Sequence, residues 1–412
     1  KKFLSDGRDC NTIPTKGNFC CNGVIFSDRT VSAKYYEVQR VYQPVYIESV
    51  GADPLKLKLA NDFIATNLDE LKPVVVVTRD GVEIAKKELA PIELKPGQKK
   101  TVEIKLPEYE SGAPGEYFYT IKFLNPRDTL YSKAGYVVAQ SQFPLKKVCA
   151  GEYSAGNGKI KVSDNGKEAV IEAGRTKAVF DRAKAALVSY SIDGKPAIVS
   201  GVKFDVNSAY IDNHRGPVGG EMARFRMDKL TCVSSKMDIE NANFARVKVE
   251  KILNNGRKQG FKVSIVYTIL PDGSMEISSQ AVKINNTPKY ILMPRIGLNM
   301  GINKALDNVE YLGKGPWANY IDRAASNDVG LYKSKVEEWF EPFTYTQDTG
   351  NREKVRWLAL TDGKSGLLVT AEKPLAMSVL PYAQDELKSA MHPYLLPESK
   401  AIDLRIAGKV LG

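Results

Sequence analysis

The side chains best suited to chemistry lie between Val309 and Leu360. Residues 309–312 and 355–360 are runs of β-branched, aromatic and aliphatic residues, so both predict strands. The G-K-G-P segment between them predicts a turn, because glycine and proline interrupt regular structure. The next loop is rich in side chains that stack and form hydrogen bonds: Trp317, Asn319, Tyr320, Asp322 and Arg323. Alone, such a loop is more often structural, with Asp322 and Arg323 fixing it and Trp317 covering the core.

Acidic pairs and histidines are a second set of candidates. Glu337-Glu338 and Asp385-Glu386 are neighbours in sequence, and neighbouring side chains diverge on a strand or a helix. Both pairs therefore predict solvated charge rather than catalysis. His214 and His392 have the chemistry of an acid or base. For each, a hydrogen-bonded packing role is the commoner outcome.

Charge and cysteine content exclude several classes of protein. The 412 residues carry a net charge of +11, but the cations alternate with acids along the whole chain, which predicts a solvated surface and no nucleic-acid partner. Five cysteines without a C-x-x-C pair and two histidines argue against a zinc site. No run reaches the roughly eighteen apolar residues needed to cross a membrane. The chain starts and stops abruptly, so we expect a piece of a longer protein.

Two β-rich regions follow an N-terminal segment that cannot close a core. Residues 42–147 offer strands at 45–50, 55–60, 73–79, 101–106 and 117–123, with an Asp-Gly hairpin turn at 79–82. This spacing predicts an immunoglobulin-like sandwich. After a linker-like stretch at 143–148, residues 148–412 predict a large two-sheet sandwich, with strands that include 367–371 and 375–380. Helix is expected only at 383–390, and residues 33–42 could form a helical turn or a strand entry.

Two ordered motifs resemble a known family. The stretch G-K-G-P-W-A-N-Y-I-D-R, followed by P-F-T-Y-T-Q-D-T-G-N-R-E-K-V-R-W-L-A-L-T-D, is similar to the last domain of lac-operon-type bacterial β-galactosidases of glycoside hydrolase family two. That family shows G-x-G-P-x-E-N-Y-x-D-R and then P-Q-E-N-G-N-R-x-D-V-R-W. Ala318 stands here where a Glu is usual, and Gln347-Asp348-Thr349 replaces Q-E-N. The resemblance implies that residues 148–412 are a supersandwich related to the sugar mutarotases.

The N-terminal segment carries a third similarity. Residues 1–41 resemble the tail of the family's catalytic (β/α)₈ barrel, whose pattern N-F-C-x-N-G and D-R-T recurs here. The resemblance implies that Asn22 reaches the galactose pocket. It also implies that the Phe19 carbonyl and the Asn22 side chain bind a monovalent cation, Na⁺ or K⁺. Oxygen ligands of this kind suit a hard cation. For the parent enzyme Mg²⁺ is expected as well.

A fourth stretch, F-D-V-N-S-A-Y-I-D-N-H-R-G, falls where the family has F-W-R-A-P-T-D-N-D-x-G. Phe204, Asp212, Asn213 and Gly216 match, whereas the Trp, Arg and Pro of the family are missing. The resemblance makes Asp212 and Asn213 candidate sugar-binding residues at a mobile pocket mouth.

Together these observations predict a C-terminal fragment of a β-galactosidase. The parent would hydrolyse terminal β-D-galactosides with retention, which takes two catalytic carboxyl groups. In this family both are glutamates of the barrel, so the fragment contains no catalytic residue and should be inactive alone. Its expected partners are the missing domains, a β-galactoside and, at its assembly surfaces, other copies of the chain. The alternatives are a carbohydrate-binding or scaffold module and an aldose epimerase. The sequence specifies neither compartment nor oligomeric state.

Overall fold

The structure is a computed structural model that describes residues 5–9, 14–17, 22–149, 151, 153–215, 220, 229–284 and 287–411. Strands make up 51% of the described residues and helices 8%, so the prediction of an all-β sandwich fold is confirmed. In the part of the chain described here, no helix is long and apolar enough to cross a membrane.

The first sandwich contains seven of the described strands. They are β1 (Val45–Val50), β2 (Asp53–Asn61), β3 (Lys72–Arg79), β4 (Val82–Glu88), β5 (Lys99–Glu103), β6 (Gly115–Leu124) and β7 (Val137–Val148). One sheet has the order β1-β2-β5 and the other the order β4-β3-β6-β7, all antiparallel. Leu57 and Leu59 of β2 are fully buried between exposed lysines, which is the alternation of a strand with one wet face. They pack against Val75 and Ile121 of the opposite sheet.

The second sandwich contains the remaining described strands. They are β8 (Ile160–Asp164), β9 (Glu168–Ala173), β10 (Thr176–Asp181), β11 (Ala186–Ile192), β12 (Lys195–Asp205), β13 (Thr231–Asn241), β14 (Ala245–Asn254), β15 (Gly260–Ile269), β16 (Met275–Lys283), β17 (Arg295–Ile302), β18 (Asn308–Gly315), β19 (Asp328–Lys335), β20 (Arg352–Thr361), β21 (Gly366–Leu380) and β22 (Ile402–Val410). The large sheet of described strands runs β19-β18-β20-β21-β22-β17-β12-β11-β10-β9-β8, and the small one runs β13-β14-β15-β16. Their facing side chains form one core, in which the rings of Phe180 and Tyr267 meet edge to face at 5.2 Å.

Helices are few in the described ranges. The α-helices whose bounds lie within the described residues are α1 (Ala33–Val41) and α2 (Gln384–Ser389), and 3₁₀ turns include Leu68–Glu70, Asp212–Arg215, Val336–Trp339 and Pro393–Leu395. The structure therefore decides for a helix at residues 33–42, where the sequence had left helix and strand open. It also adds α1 to the single helix that the sequence predicts.

The predicted turn at G-K-G-P is wrong in position. Gly313, Lys314 and Gly315 continue β18 and pair with β19. Glycine is needed there because neighbouring strands and rings approach closely. A Cβ on Gly313 would lie 2.9 Å from the Val355 Cα, and one on Gly315 would meet the Tyr311 hydroxyl.

The predicted linker at 143–148 is also wrong, because these residues form the second half of β7 and pair with β6. Likewise, the two strands predicted at 367–371 and 375–380 belong to one continuous strand, β21. In both cases a proline or charged residue interrupts the local apolar pattern, and pairing with a neighbouring strand overrides that weak local signal.

The N-terminal helix is held on the second sandwich by the loop after β18. The ring of Tyr36 on α1 stacks on Trp317 with centroids 3.8 Å apart and planes 4° apart. The Glu37 carboxylate accepts the backbone N–H groups of Ala325 and Ser326, both at 2.9 Å. Arg40 forms an ion pair with Asp328 at 3.0 Å. Trp317 therefore contacts α1. It is not among the described side chains that pack on the core of the second sandwich, so the prediction that it covers the core is wrong.

Candidate functional site

A cavity of about 360 Å³ lies where the N-terminal segment meets the second sandwich. Its walls come from residues within 22–34, 208–214, 320–323 and 341–348, with Pro294 and Leu411 beside them. The volume falls in the usual range for a small-molecule site. Each of the four stretches that resemble the family contributes to this one cavity.

Asn22 stands at the wall formed by the N-terminal segment, and its side chain is exposed. The backbone just after Asn22 is fixed by Lys34 of α1 and by Ser32, the residue before that helix. The Lys34 ammonium donates to the Gly23 carbonyl at 3.0 Å, and the Ser32 hydroxyl donates to the Val24 carbonyl at 2.7 Å. The predicted second cation ligand, Phe19, lies outside the described residues.

The 3₁₀ turn Asp212–Arg215 forms a second wall. Asp212 is exposed and lines the cavity, so the structure brings it together with Asn22. Asn213 belongs to the same turn, and Gly216 lies outside the described residues. His214 is buried and also lines the cavity. Burial lowers the pKa of His214, against an opposing effect of Asp348, so its imidazole is held neutral.

The loop from Trp317 to Arg323 forms the third wall, and Asn319 fixes it. The fully buried Asn319 amide donates to the Trp317 carbonyl at 2.8 Å, and its oxygen accepts the Glu353 N–H at 2.8 Å. Tyr320 and Arg323 exchange two backbone hydrogen bonds. Asp322 is exposed at the cavity instead of pinning the loop, so the role expected for it is wrong.

The fourth wall, residues 341–348, joins the cavity to α1. The Glu341 carboxylate accepts the N–H of Ala33, the first helical residue, at 3.4 Å and the Thr349 hydroxyl at 3.4 Å. Placing a carboxylate at a helix N-terminus is favourable because unpaired N–H groups point there. The Phe343 ring packs against Phe26, with centroids 5.8 Å apart. No sequence signal had marked Lys34 or Glu341 as site residues.

Negative charge is in formal excess around the cavity. Two cations face four carboxylates, which are Asp212, Asp322, Glu341 and Asp348. Burial lowers the pKa of Lys34 and nearby Arg323 adds to this, whereas Glu341 and Asp212 oppose it. Such a cavity favours hydroxyl-rich ligands and small cations over anions.

Tyr320 and Asp348 give the cavity a rigid polar corner. The Tyr320 hydroxyl donates to Asp348 at 3.4 Å, and the buried Arg295 guanidinium lies 3.5 Å from the same carboxylate oxygen. Burial raises the pKa of Tyr320 well above its usual range, and the charges of Asp348 and Glu341 add to the shift. The phenol therefore stays protonated and serves as a hydrogen-bond donor.

The acidic pairs of the sequence lie elsewhere, in local roles. Glu338 accepts the Lys335 N–H at 2.7 Å and Glu386 accepts the Ala383 N–H at 2.8 Å, each at the start of a helical turn. These contacts fit the interpretation of both pairs as non-catalytic charge.

His392 is a buried packing histidine in the structure. Its Nδ1 faces the Thr344 carbonyl at 2.7 Å and its Nε2 faces Asp9 at 3.0 Å, while the ring stacks on Tyr394. Asp6, Asp9 and His392 bring potential ligand atoms within 4.8 Å of one another. Asp6 is already paired with Arg8, however. The contact between Asp9 and His392 therefore serves to hold the N-terminal segment against the second sandwich.

Similarity to known proteins agrees with this architecture. A family model described as "Beta galactosidase small chain" matches residues 172–412, and one described as "Beta-galactosidase, domain 4" matches residues 57–146. The β-galactosidase of Priestia megaterium is 30% identical over 417 residues, covering 100% of this chain and 40% of that protein. That of Streptococcus thermophilus is 25% identical over 418 residues (100% and 39%), and that of Lactobacillus delbrueckii subsp. bulgaricus is 28% identical over 402 residues (95% and 38%).

Two all-β sandwiches in tandem, with matches to both β-galactosidase models, define the class. The chain belongs to the β-galactosidase small-chain family and corresponds to the C-terminal part of these relatives. It spans about 40% of the length of the relatives it matches.

Proposed function

We propose that this chain is the non-catalytic C-terminal part of a β-galactosidase that hydrolyses terminal β-D-galactosides with retention. Its role is to form one side of the substrate pocket and to hold the preceding domains. The observation that carries the proposal is the single cavity that unites Asn22 with Asp212, Tyr320 and Asp348. Relatives named β-galactosidase match this chain over its full length, and they support the same activity for the parent.

The substrate side of this cavity is built from Asn22 and Asp212, with Asn213 on the same turn as Asp212. An amide and a carboxylate complement the hydroxyl groups of a sugar, since the amide both donates and accepts. Beside them the Phe19 carbonyl and the Asn22 side-chain oxygen would hold Na⁺ or K⁺, as hard cations prefer oxygen ligands. The excess of carboxylates around the cavity is compatible with a bound Na⁺ or K⁺, because negative charge lowers the free energy of a cation placed there.

Catalysis itself is assigned to the preceding domains. Retention takes two carboxyl groups about 5–5.5 Å apart, one of them free to attack the sugar. Two of the cavity carboxylates have structural partners instead, since Glu341 caps α1 and Asp348 pairs with Arg295. Any Mg²⁺ of the parent is likewise assigned to the preceding domains.

A surface for those domains follows the N-terminal segment. Several of its apolar side chains are at least a third exposed: Val24, Ile25, Val31, Val38, Val41 and Tyr42. Exposed apolar side chains that recur along one short segment, which also lines the cavity through Asn22, Phe26 and Lys34, suit a contact with a preceding barrel. Other exposed faces of the two sandwiches remain for contacts between copies of the chain.

The first test is the activity of the chain alone. Purified protein should release no product from an aryl β-galactoside, whereas the complete enzyme should turn it over under identical conditions. Turnover by the chain alone at a rate comparable to the complete enzyme would refute the non-catalytic role. Faster interconversion of the galactose anomers, followed by polarimetry, would support the aldose epimerase alternative instead.

The second test is Asn22→Ala in the complete enzyme. The substitution should remove a hydrogen bond worth about 0.5–1.5 kcal/mol, more if it strengthens in the transition state. Galactoside turnover should fall at least several-fold, and its dependence on Na⁺ or K⁺ should weaken. Asn243→Ala, an exposed asparagine in the turn between β13 and β14, is the control and should change neither. Unchanged turnover and cation dependence in Asn22→Ala would contradict the placement.

A further inference from the structure

A second cavity, of about 460 Å³, lies inside the second sandwich and shares no lining residue with the candidate site. It lies along the last residues of β12, from Val202 to Asp205, beyond the part of that strand that pairs with β11. The two strands pair only over residues 195–198 of β12, whereas β12 remains paired with β17 as far as Asp205. The small sheet covers the opening with the aliphatic side chains of Val249, Val263 and Ile265.

One side of this second cavity is a built polar surface. The buried Arg405 guanidinium donates to Asp403 at 2.9 Å and to the Asn207 carbonyl at 3.0 Å, and it lies 3.4 Å from Asp205. Asn299 donates its amide to Asp403. Strand register places Lys203, Asn299 and Arg405 side by side across β12, β17 and β22. Burying polar groups on a central sheet is costly unless they are paired, and Arg405, Asp403 and Asn299 are paired with one another.

Two buried polar atoms in the wall of the second cavity keep unused hydrogen-bonding capacity. Gln384 is 3% exposed, and its oxygen accepts the Ala209 N–H, but its Nε2 has no hydrogen-bond partner in the described part of the chain. The Asp205 Oδ2 has only the distant ion pair with Arg405 and forms no hydrogen bond to a described residue. A buried donor or acceptor without a partner destabilises the folded protein unless a ligand or water forms a hydrogen bond with it.

The lining charges select the ligand class. Three carboxylates, Asp205, Asp385 and Asp403, stand against three cations, Lys203, Lys251 and Arg405. A formally neutral site offers no net attraction to an anion or a cation. Polar donors and acceptors on the large sheet and aliphatic side chains on the small sheet match a molecule that has hydroxyl edges and an apolar face.

We propose that this second cavity binds a neutral saccharide, independently of the galactoside pocket. The Gln384 amide donates to one hydroxyl oxygen of the sugar and the Asp205 carboxylate accepts from another hydroxyl. The sugar's C–H face packs on the aliphatic side chains of Val249, Val263 and Ile265. Cys232 is exposed and lines the cavity, so it marks the entrance.

Saturation-transfer NMR and calorimetric titration of the protein with galactose, glucose and lactose test the proposal. Gln384→Glu keeps an oxygen for the Ala209 N–H but replaces the donor, and it should weaken sugar binding at this site about tenfold or more. Cys232→Trp should block the entrance to a similar degree. Asn243→Ala, in the exposed turn between β13 and β14 and outside both cavities, is the control and should leave this binding unchanged. Melting curves of each variant confirm that it is folded.

Several outcomes would overturn the proposal. One is the absence of saturable binding of all three sugars up to about 50 mM, a concentration beyond the millimolar dissociation constants of weak ligands. Another is sugar binding that Asn22→Ala abolishes while folded Gln384→Glu and Cys232→Trp retain it, which would place the ligand in the galactoside pocket. Inorganic phosphate binding more tightly than the sugars and displacing them would refute a site for neutral ligands.

Discussion

The stack between Tyr36 and Trp317 should control how firmly the N-terminal segment is held against the second sandwich. Trp317→Ala removes a half-buried indole that lies 3.8 Å from the Tyr36 ring. Losing about 100 Å² of buried apolar surface costs about 2.5 kcal/mol, and the ring pairing adds about 0.5–1.5 kcal/mol. The backbone N–H of Trp317 donates a hydrogen bond to the Asn327 side chain. Because the donor is a backbone group, this hydrogen bond survives the substitution. The free energy that keeps α1 docked should fall by about 3 kcal/mol.

Native-state hydrogen exchange measures this local opening directly. Each 1.4 kcal/mol is about a factor of ten, so the α1 amides should exchange about a hundredfold faster in Trp317→Ala. Trp317→Phe keeps an aromatic face toward Tyr36 and should accelerate exchange less than about tenfold. Amides of β15, in the sandwich core, serve as the internal reference and should not change. Unchanged exchange in α1, or equal acceleration in β15, would refute a local role for the stack.

Two further predictions concern backbone fit and acid sensitivity. Gly81 has φ +77°, and a Cβ there would meet the Leu331 nitrogen, whereas Gly97 has φ +74° with open space around it. Gly81→Ala should therefore lower the free energy of unfolding by more than the roughly 1–2 kcal/mol that the left-handed backbone alone costs, and Gly97→Ala, as the control, by no more than that. Equal losses in denaturant unfolding would argue against the close contact. Because burial lowers the pKa of His214 below 6.5, protonation favours the unfolded chain, so its contribution to stability holds above about pH 6.5 and declines as the pH falls. His214→Gln should lose less stability than the unsubstituted protein between pH 7 and pH 5, and parallel stability curves would show that this histidine is not the titrating group.

Local sequence alone determined much of the fold because strands and tight turns leave short-range signatures. The alternation of leucine and lysine in β2 reflects one buried and one solvent-exposed face. The strand and the direction of each side chain are therefore predictable from about eight residues. Both residues of the Asp80-Gly81 turn between β3 and β4 have positive φ. Aspartate and glycine are favoured in such turns, so their types predict the turn from the sequence. The resemblance to β-galactosidases also lay in ordered motifs, and the family matches confirm it.

Tertiary structure decided where those motifs meet. Folding of the second sandwich brings Asp212, Tyr320 and Asp348 to one cavity, and the docking of α1 on the loop after β18 adds Asn22 from the N-terminal segment. The local sequence does not identify Lys34 as a site residue, because an isolated lysine on a helix usually faces water.

Strand assignments failed where pairing outweighed local preference. The G-K-G-P stretch reads as a turn by composition, yet β19 holds it as a strand in which glycines admit close neighbours. The polar strand β13 has only a weak apolar periodicity, because most of its side chains are exposed, so local sequence does not predict it. Local patterns report which face of a segment is buried, whereas partners distant in sequence determine whether that segment pairs, docks or lines a site.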